Sequence, residues 1–304
     1  MLPKEKFQKF ILTFAFASVL TSFFALLGAP IVRVLRNVFG RAFFWISGLL
    51  LIAVAYAAQF YSVAILCGAV WVLVGIYAEF EERGLAHFWT AFISIGISSL
   101  VTIGAIGLRA YSKGFTLFQF VEEELRALFQ AAGKMQSSIQ SEVSPATLAH
   151  QMPSMVFIIL TFCLGFALML DRRASRMLNL RFERFSTSLR TLEFRVPDIF
   201  IWVGMFSFLF SFLDLKNEIL SVVSINIFNS LVGLYFFNGL AVLEVMLLVF
   251  RAGFFTRLVA YLVLVGQLFF ILSIVGYIDY WIDFRSKFKK IKKAENSHKN
   301  GENI

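Results

Sequence analysis

Apolar residues run along this chain in long blocks, with the polar residues gathered between them. The first block, 10–32, is interrupted at Gly28-Ala29-Pro30 and closed by Arg33, Arg36 and Arg41. A second, 43–79, is too long for one passage through a hydrocarbon core of about 30 Å. The wetter stretch from Tyr56 to Tyr61 near its middle divides it into two helices, and Glu79, Glu81, Glu82 and Arg83 end it. Further blocks cover 87–108, 154–170, 199–213, 219–237, 240–250 and 255–278. The 240–250 run is too short to cross upright, so it reads as a half-helix or as a continuation of the preceding span. The pattern predicts an all-α polytopic transmembrane helical bundle of about eight or nine hydrophobic segments.

One stretch departs from it. From Tyr111 to Met152 the chain is polar enough to leave the membrane, yet Phe115, Phe118, Val121, Leu125, Leu128 and Phe129 recur near helical spacing around Glu122, Glu123, Glu124 and Arg126. That spacing predicts an amphipathic helix over 115–131 with Phe118, Val121, Leu125 and Phe129 on its buried side. Three adjacent glutamates make it too polar to span, so it lies on the bilayer surface or connects other helices. The chain thus divides into N-terminal membrane helices (1–110), an extramembrane amphipathic segment (111–152), C-terminal membrane helices (153–285) and a basic tail of disordered composition (286–304).

Composition excludes a soluble domain: 59% of residues are apolar and 15% charged, against about a quarter charged in soluble chains. The net charge of +9 matters by location. Arg172, Arg173, Arg176, Arg181, Arg184, Arg190 and Arg195 fill one polar stretch, and Lys287, Lys289, Lys290, Lys292 and Lys293 the tail, which assigns both to the cytoplasmic side. No basic cluster carries the interleaved aromatics of a nucleic-acid site. In this orientation 111–152 faces outward, while the acidic 79–83 turn and the 33–41 loop face inward. One first crossing would leave the N-terminus outside despite Lys4, Lys6 and Lys9; a helical hairpin over 7–36 would bring it inside. Residues 10–29 read as a retained segment, since proline follows the only small-residue candidate for cleavage.

No catalytic set is visible. Cys67 and Cys163 stand alone in apolar runs, and His87, His150 and His298 are far apart. The expectation is a protein that is no enzyme, with no metal and no cofactor. The informative residues are polar ones at membrane depth, where burial demands a partner or a function. Asn226, Asn229 and Gly233 share a helical face, Asn238-Gly239 breaks the apolar run, and Glu244 sits within the next one. Asparagine and small residues are ordinary interface glue between membrane helices, and Glu244 can pair with Arg251 or Arg257 or bind a proton, cation or solute group. Asp279 and Asp283 share a face if their helix continues through both. Arg285 is then poorly placed to serve both, so either at least one aspartate bonds outside its helix, to an arginine of the 172–195 stretch or to Arg251 or Arg257, or the pair is solvated beside the lysines.

The C-terminal half resembles the YybS-like family of uncharacterised bacterial membrane proteins. The likeness rests on Phe194-Arg-Val-Pro197, Asn226, the run Leu234-Tyr-Phe-Phe-Asn-Gly-Leu-Ala241 and the pattern of Gly276, Asp279, Trp281, Asp283 and Arg285, over roughly residues 194–285. Asn238 stands where that family commonly has Gln. The resemblance implies a multi-span protein of the bacterial inner membrane with no established activity, and the basic tail makes its C-terminus cytoplasmic. At fold level it is similar to the substrate-binding membrane subunits of vitamin transporters. Two functions follow as expectations: a transport-type protein binding a small solute or ion through Asn226, Asn229, Asn238, Gly239 and Glu244, or a non-transporting scaffold that recruits a cytoplasmic protein. The lipid bilayer is a partner in either case.

Overall fold

A computed structural model describes residues 4–135, 144–180, 194–213, 218–288 and 290. Arg181, Arg184, Arg190, Lys289, Lys292 and Lys293, expected on the cytoplasmic side, lie outside the described residues. All regular structure among the described residues is helical, arranged in two compact units divided between Ser188 and Leu189.

The first unit holds α1 (Lys4–Phe23), α2 (Ala25–Phe39), α3 (Arg41–Ala57), α4 (Tyr61–Glu82), α5 (His87–Ser112), α6 (Leu117–Met135), α7 (Pro145–His150) and α8 (Met152–Met177). The first apolar block is two helices, parted at Phe24. They fold back as a hairpin so close that a Cβ at Gly28 would lie 2.6 Å from the Thr21 Cα. Phe10 near the start of α1 meets Phe39 (centroids 5.2 Å apart) and Phe43 (5.5 Å), so the N-terminal lysines return to the end where Arg33, Arg36 and Arg41 lie. The hairpin over 7–36 is therefore the arrangement found. Arg33 and Arg36, read from sequence as loop residues, are inside α2 and buried.

The 43–79 block splits where its wetter middle indicated, with Gln59 in the left-handed region (φ 63°) between α3 and α4. The two helices interlock: a Cβ at Gly48 would meet the Trp71 ring at 2.2 Å, and one at Gly75 the Trp45 ring at 2.5 Å. Small residues that admit a large partner are how membrane helices gain close packing. The α4–α5 and α5–α6 turns use Gly84 (φ 76°) and Gly114 (φ 78°), a conformation only glycine adopts without strain. Arg172, Arg173 and Arg176 belong to the last turns of α8, so the basic stretch begins as helix.

The second unit holds α9 (Ile199–Phe212), α10 (Glu218–Val249), α11 (Phe254–Gly266) and α12 (Phe269–Ile282). Asn238-Gly239 does not break the chain: the 219–237 and 240–250 runs are one helix, because a single Asn-Gly step costs too little to interrupt 32 residues packed on both sides. The 255–278 block does break, at Gln267-Leu268. Both α9 and α12 pack on α10, and α11 packs on α12.

Among the described residues four helices are long and apolar enough to cross a membrane, α4, α5, α8 and α10, while α3, α9 and α12 are apolar but shorter. Of the eight or nine hydrophobic segments expected from hydropathy, four thus have the length of a span. The blocks map unevenly onto helices: 10–32 is two helices, α1 and α2, 255–278 is two, α11 and α12, and 219–237 with 240–250 is one, α10.

Candidate functional site

Some of the residues picked out in the C-terminal half converge. Asn238, Gly239, Gly276, Asp279 and Arg285 meet in one buried node, joined by the Phe194 carbonyl from the Phe-Arg-Val-Pro stretch ahead of α9. Arg285 donates from Nε (3.0 Å) and Nη2 (2.7 Å) to Asp279 Oδ2, from Nη2 to Asn238 Oδ1 (3.1 Å), and from Nη1 to the Phe194 carbonyl (2.7 Å). Asn238 Nδ2 donates to the Gly276 carbonyl at 2.6 Å, so both ends of this amide are engaged.

Glycine makes the node possible. A Cβ on Gly239 would lie 1.9 Å from the Leu272 carbonyl oxygen, and one on Gly276 2.0 Å from that of Tyr235. Here α10 and α12 touch backbone to backbone, which brings Asn238 within reach of Gly276. Helix α12 then stops at Asp283, whose left-handed conformation (φ 48°, ψ 58°) turns the chain. That turn corrects the sequence expectation for Asp279. Its cation is Arg285, not a residue of the 172–195 stretch nor Arg251 or Arg257, because the helix does not continue and Arg285 folds back over it. Asp283 is half-buried and its carboxyl is held below the usual range, first by the Ser286 side chain and then by nearby Arg195 and Arg285.

The other candidates lie elsewhere on α10. Asn226 Nδ2 bonds the Val222 carbonyl of its own helix at 2.8 Å, and Asn229 and Glu244 are half-buried. At about 1.5 Å per residue, Asn226 is some 18 Å from Asn238 along the axis, and Glu244 about 9 Å beyond. The cavity that α9, α10 and α12 do enclose, of about 770 Å³, is lined by Trp202, Phe206, Phe228, Tyr235, Phe270, Tyr277 and similar residues and by none of those candidates. Trp281 is exposed, as an interfacial anchor is, and Pro197 sits two residues before α9.

A family model matches residues 9–280 of this chain. The chain belongs to the DUF2232 family of predicted membrane proteins. No curated protein and no solved structure matches it. The family match begins far upstream of residue 194 and covers helices of both units.

In the DUF2232 chain that first unit holds a second charge node, which hydropathy alone did not assemble. Arg33 is 1% exposed and donates from Nε to Asp171 (3.1 Å) and from Nη2 to both Glu81 oxygens (3.1 Å each), with its guanidinium 5.0 Å from the Tyr77 ring centroid. Arg36 reaches Glu79 (3.0 Å) and Glu82 (3.3 Å), and Arg41 also pairs with Glu79 (3.1 Å). Three guanidiniums from α2 and the start of α3 therefore face four carboxylates from α4 and α8. The signal was present in sequence, since the 33–41 arginines and the 79–83 acids were both assigned to the inner face. Asp171, at the end of an apolar run, gave no hint of its partner.

Proposed function

We propose that this integral membrane protein is a non-transporting, non-enzymatic scaffold, whose helical units are fastened by buried arginine nodes and whose basic end recruits a cytoplasmic protein. The observation that carries this reading is the Asn238–Arg285–Asp279 node. Asn238, one of the polar candidates for a solute, is bonded at both ends within the node, and two glycines bring the helix backbones together there. The YybS-like likeness of residues 194–285 is compatible with it, because the motif residues are those that build the node. Exposed Lys287 and Lys290 mark the end that would face a cytoplasmic partner of a bacterial inner-membrane protein.

Cysteine labelling tests the reading. Ala241 is fully buried one turn from Asn238. In cells carrying Ala241→Cys, a small hydrophilic thiol reagent should leave the introduced thiol unmodified, like buried Cys67 and Cys163. Lys287→Cys should react only after the cells are permeabilised. Ready modification at position 241 would restore the transport reading, and labelling of position 287 in intact cells would reverse the orientation.

A further inference from the structure

At the end of the first unit opposite the Arg33 node, α6 lies across the α3–α4 and α5–α6 turns and roofs a cavity of about 710 Å³. Its walls come from the start of α4, the end of α5 and the start of α8, with Leu66, Ile106, Ile159, Leu160, Leu125 and Leu128 among them. A second cavity of about 310 Å³ shares Tyr61, Ile65, Ala69, Thr102 and Arg109 with the first. The partition at their common mouth is thus Arg109 over Tyr61, with the guanidinium 3.6 Å from the ring centroid. Among the described residues Arg109 has no carboxylate partner. Lys113 stands beside it, 3.4 Å from Glu124 and 4.8 Å from the Phe120 ring centroid. The mouth carries two cations against one carboxylate.

The depth of this mouth follows from α6. A helix bearing Glu122, Glu123, Glu124 and Arg126 does not enter hydrocarbon, while its exposed Leu128 and Phe129 do not favour water, so α6 belongs at the headgroup level. Arg109 and Lys113 then sit where lipid phosphates lie, above cavities with apolar walls. The larger cavity falls within the range of about 300–1,000 Å³ that ordinary ligand sites occupy.

We propose that this end of the first unit binds an anionic diacyl lipid, its phosphate on Arg109 with support from Lys113 and its acyl chains in the two cavities either side of the Arg109–Tyr61 stack. The phosphate supplies the charge that Arg109 lacks within the chain, and the guanidinium plane remains stacked on the tyrosine while its edge donates. Lys113 shifts between Glu124 and the headgroup. Helix α6 closes over the chains through Val121, Leu125 and Leu128.

The test is a native mass spectrometry titration of the delipidated full chain with phosphatidylglycerol and with phosphatidylcholine of the same acyl chains. Phosphatidylglycerol should bind about fivefold more tightly, and Arg109→Gln should erase that preference by weakening phosphatidylglycerol more than phosphatidylcholine. Leu128→Glu, at an exposed position of the roof, should weaken both lipids without unfolding the chain. Glycerol 3-phosphate at the same phosphate concentration should not compete. Equal affinity for the two lipids in the unmodified protein, or unchanged selectivity in Arg109→Gln, would overturn the proposal. Full competition by glycerol 3-phosphate would make this a site for small anions and would overturn it too.

Discussion

Arg33→Met is expected to destabilise the protein by about 3–5 kcal/mol, because it removes the buried guanidinium that bonds both Glu81 and Asp171. The size of the effect comes from what is left behind. The pair itself contributes little net stability once desolvation is counted, but an unpaired buried carboxylate has no compensation. Arg41→Gln is the matched control: the Arg41 side chain is 67% exposed, and its loss should change stability by less than about 1 kcal/mol. Unfolding midpoints of the two variants in mild detergent separate them. A combined Arg33→Met, Glu81→Gln, Asp171→Asn variant should recover much of the loss, since no charge then remains unpaired. Equal small shifts for Arg33→Met and Arg41→Gln would mean that the α2 node is solvated.

Gly276→Ala should be nearly as damaging as the arginine replacement. The added Cβ would lie 2.0 Å from the Tyr235 carbonyl oxygen and 2.5 Å from the Gly239 amide nitrogen, both backbone atoms that no rotamer change can move. Helices α10 and α12 must separate, which also pulls Asn238 away from the Gly276 carbonyl. The expected loss is at or above the upper end of the range of about 1–3 kcal/mol for overpacking. Gly204→Ala, whose Cβ would meet only the Leu231 and Tyr277 side chains at 3.6 Å, should be close to neutral. Unfolding midpoints again provide the measurement, and a tolerated Gly276→Ala would contradict the backbone contact.

Hydropathy made much of the helical layout legible. It located the break between α3 and α4, the span at α5 and the amphipathic helix at α6, because each follows from local polarity. Helix ends set by packing were not legible. The Asn238-Gly239 step looks like a breaker in sequence, and only α9 and α12 on either side of α10 keep it helical. The buried face assigned to α6 was half right in kind: Val121 and Leu125 are partly buried, but Phe118 and Phe129 are 37% exposed. A helix that roofs a cavity does not bury a full stripe.

The candidate site shows the same division. Asn238, Gly239, Gly276, Asp279 and Arg285 stood out individually, since polar or small residues among large apolar ones demand a reason. Their joining into one node depended on the left-handed Asp283, which no spacing rule anticipates in a non-glycine residue. Pairing across 138 positions, as between Arg33 and Asp171, leaves no local trace at all.

If Asn238, Asp279 and Arg285 fasten the helices of the second unit, as proposed, their contributions to stability are coupled. A double-mutant cycle on Asp279→Asn and Arg285→Gln, measured as unfolding free energy of the purified protein in mild detergent, tests it most directly. The account predicts a coupling of about 1–3 kcal/mol, with Asp279→Asn and Lys290→Gln additive to within about 0.5 kcal/mol as the reference. Additive losses from Asp279→Asn and Arg285→Gln would contradict it.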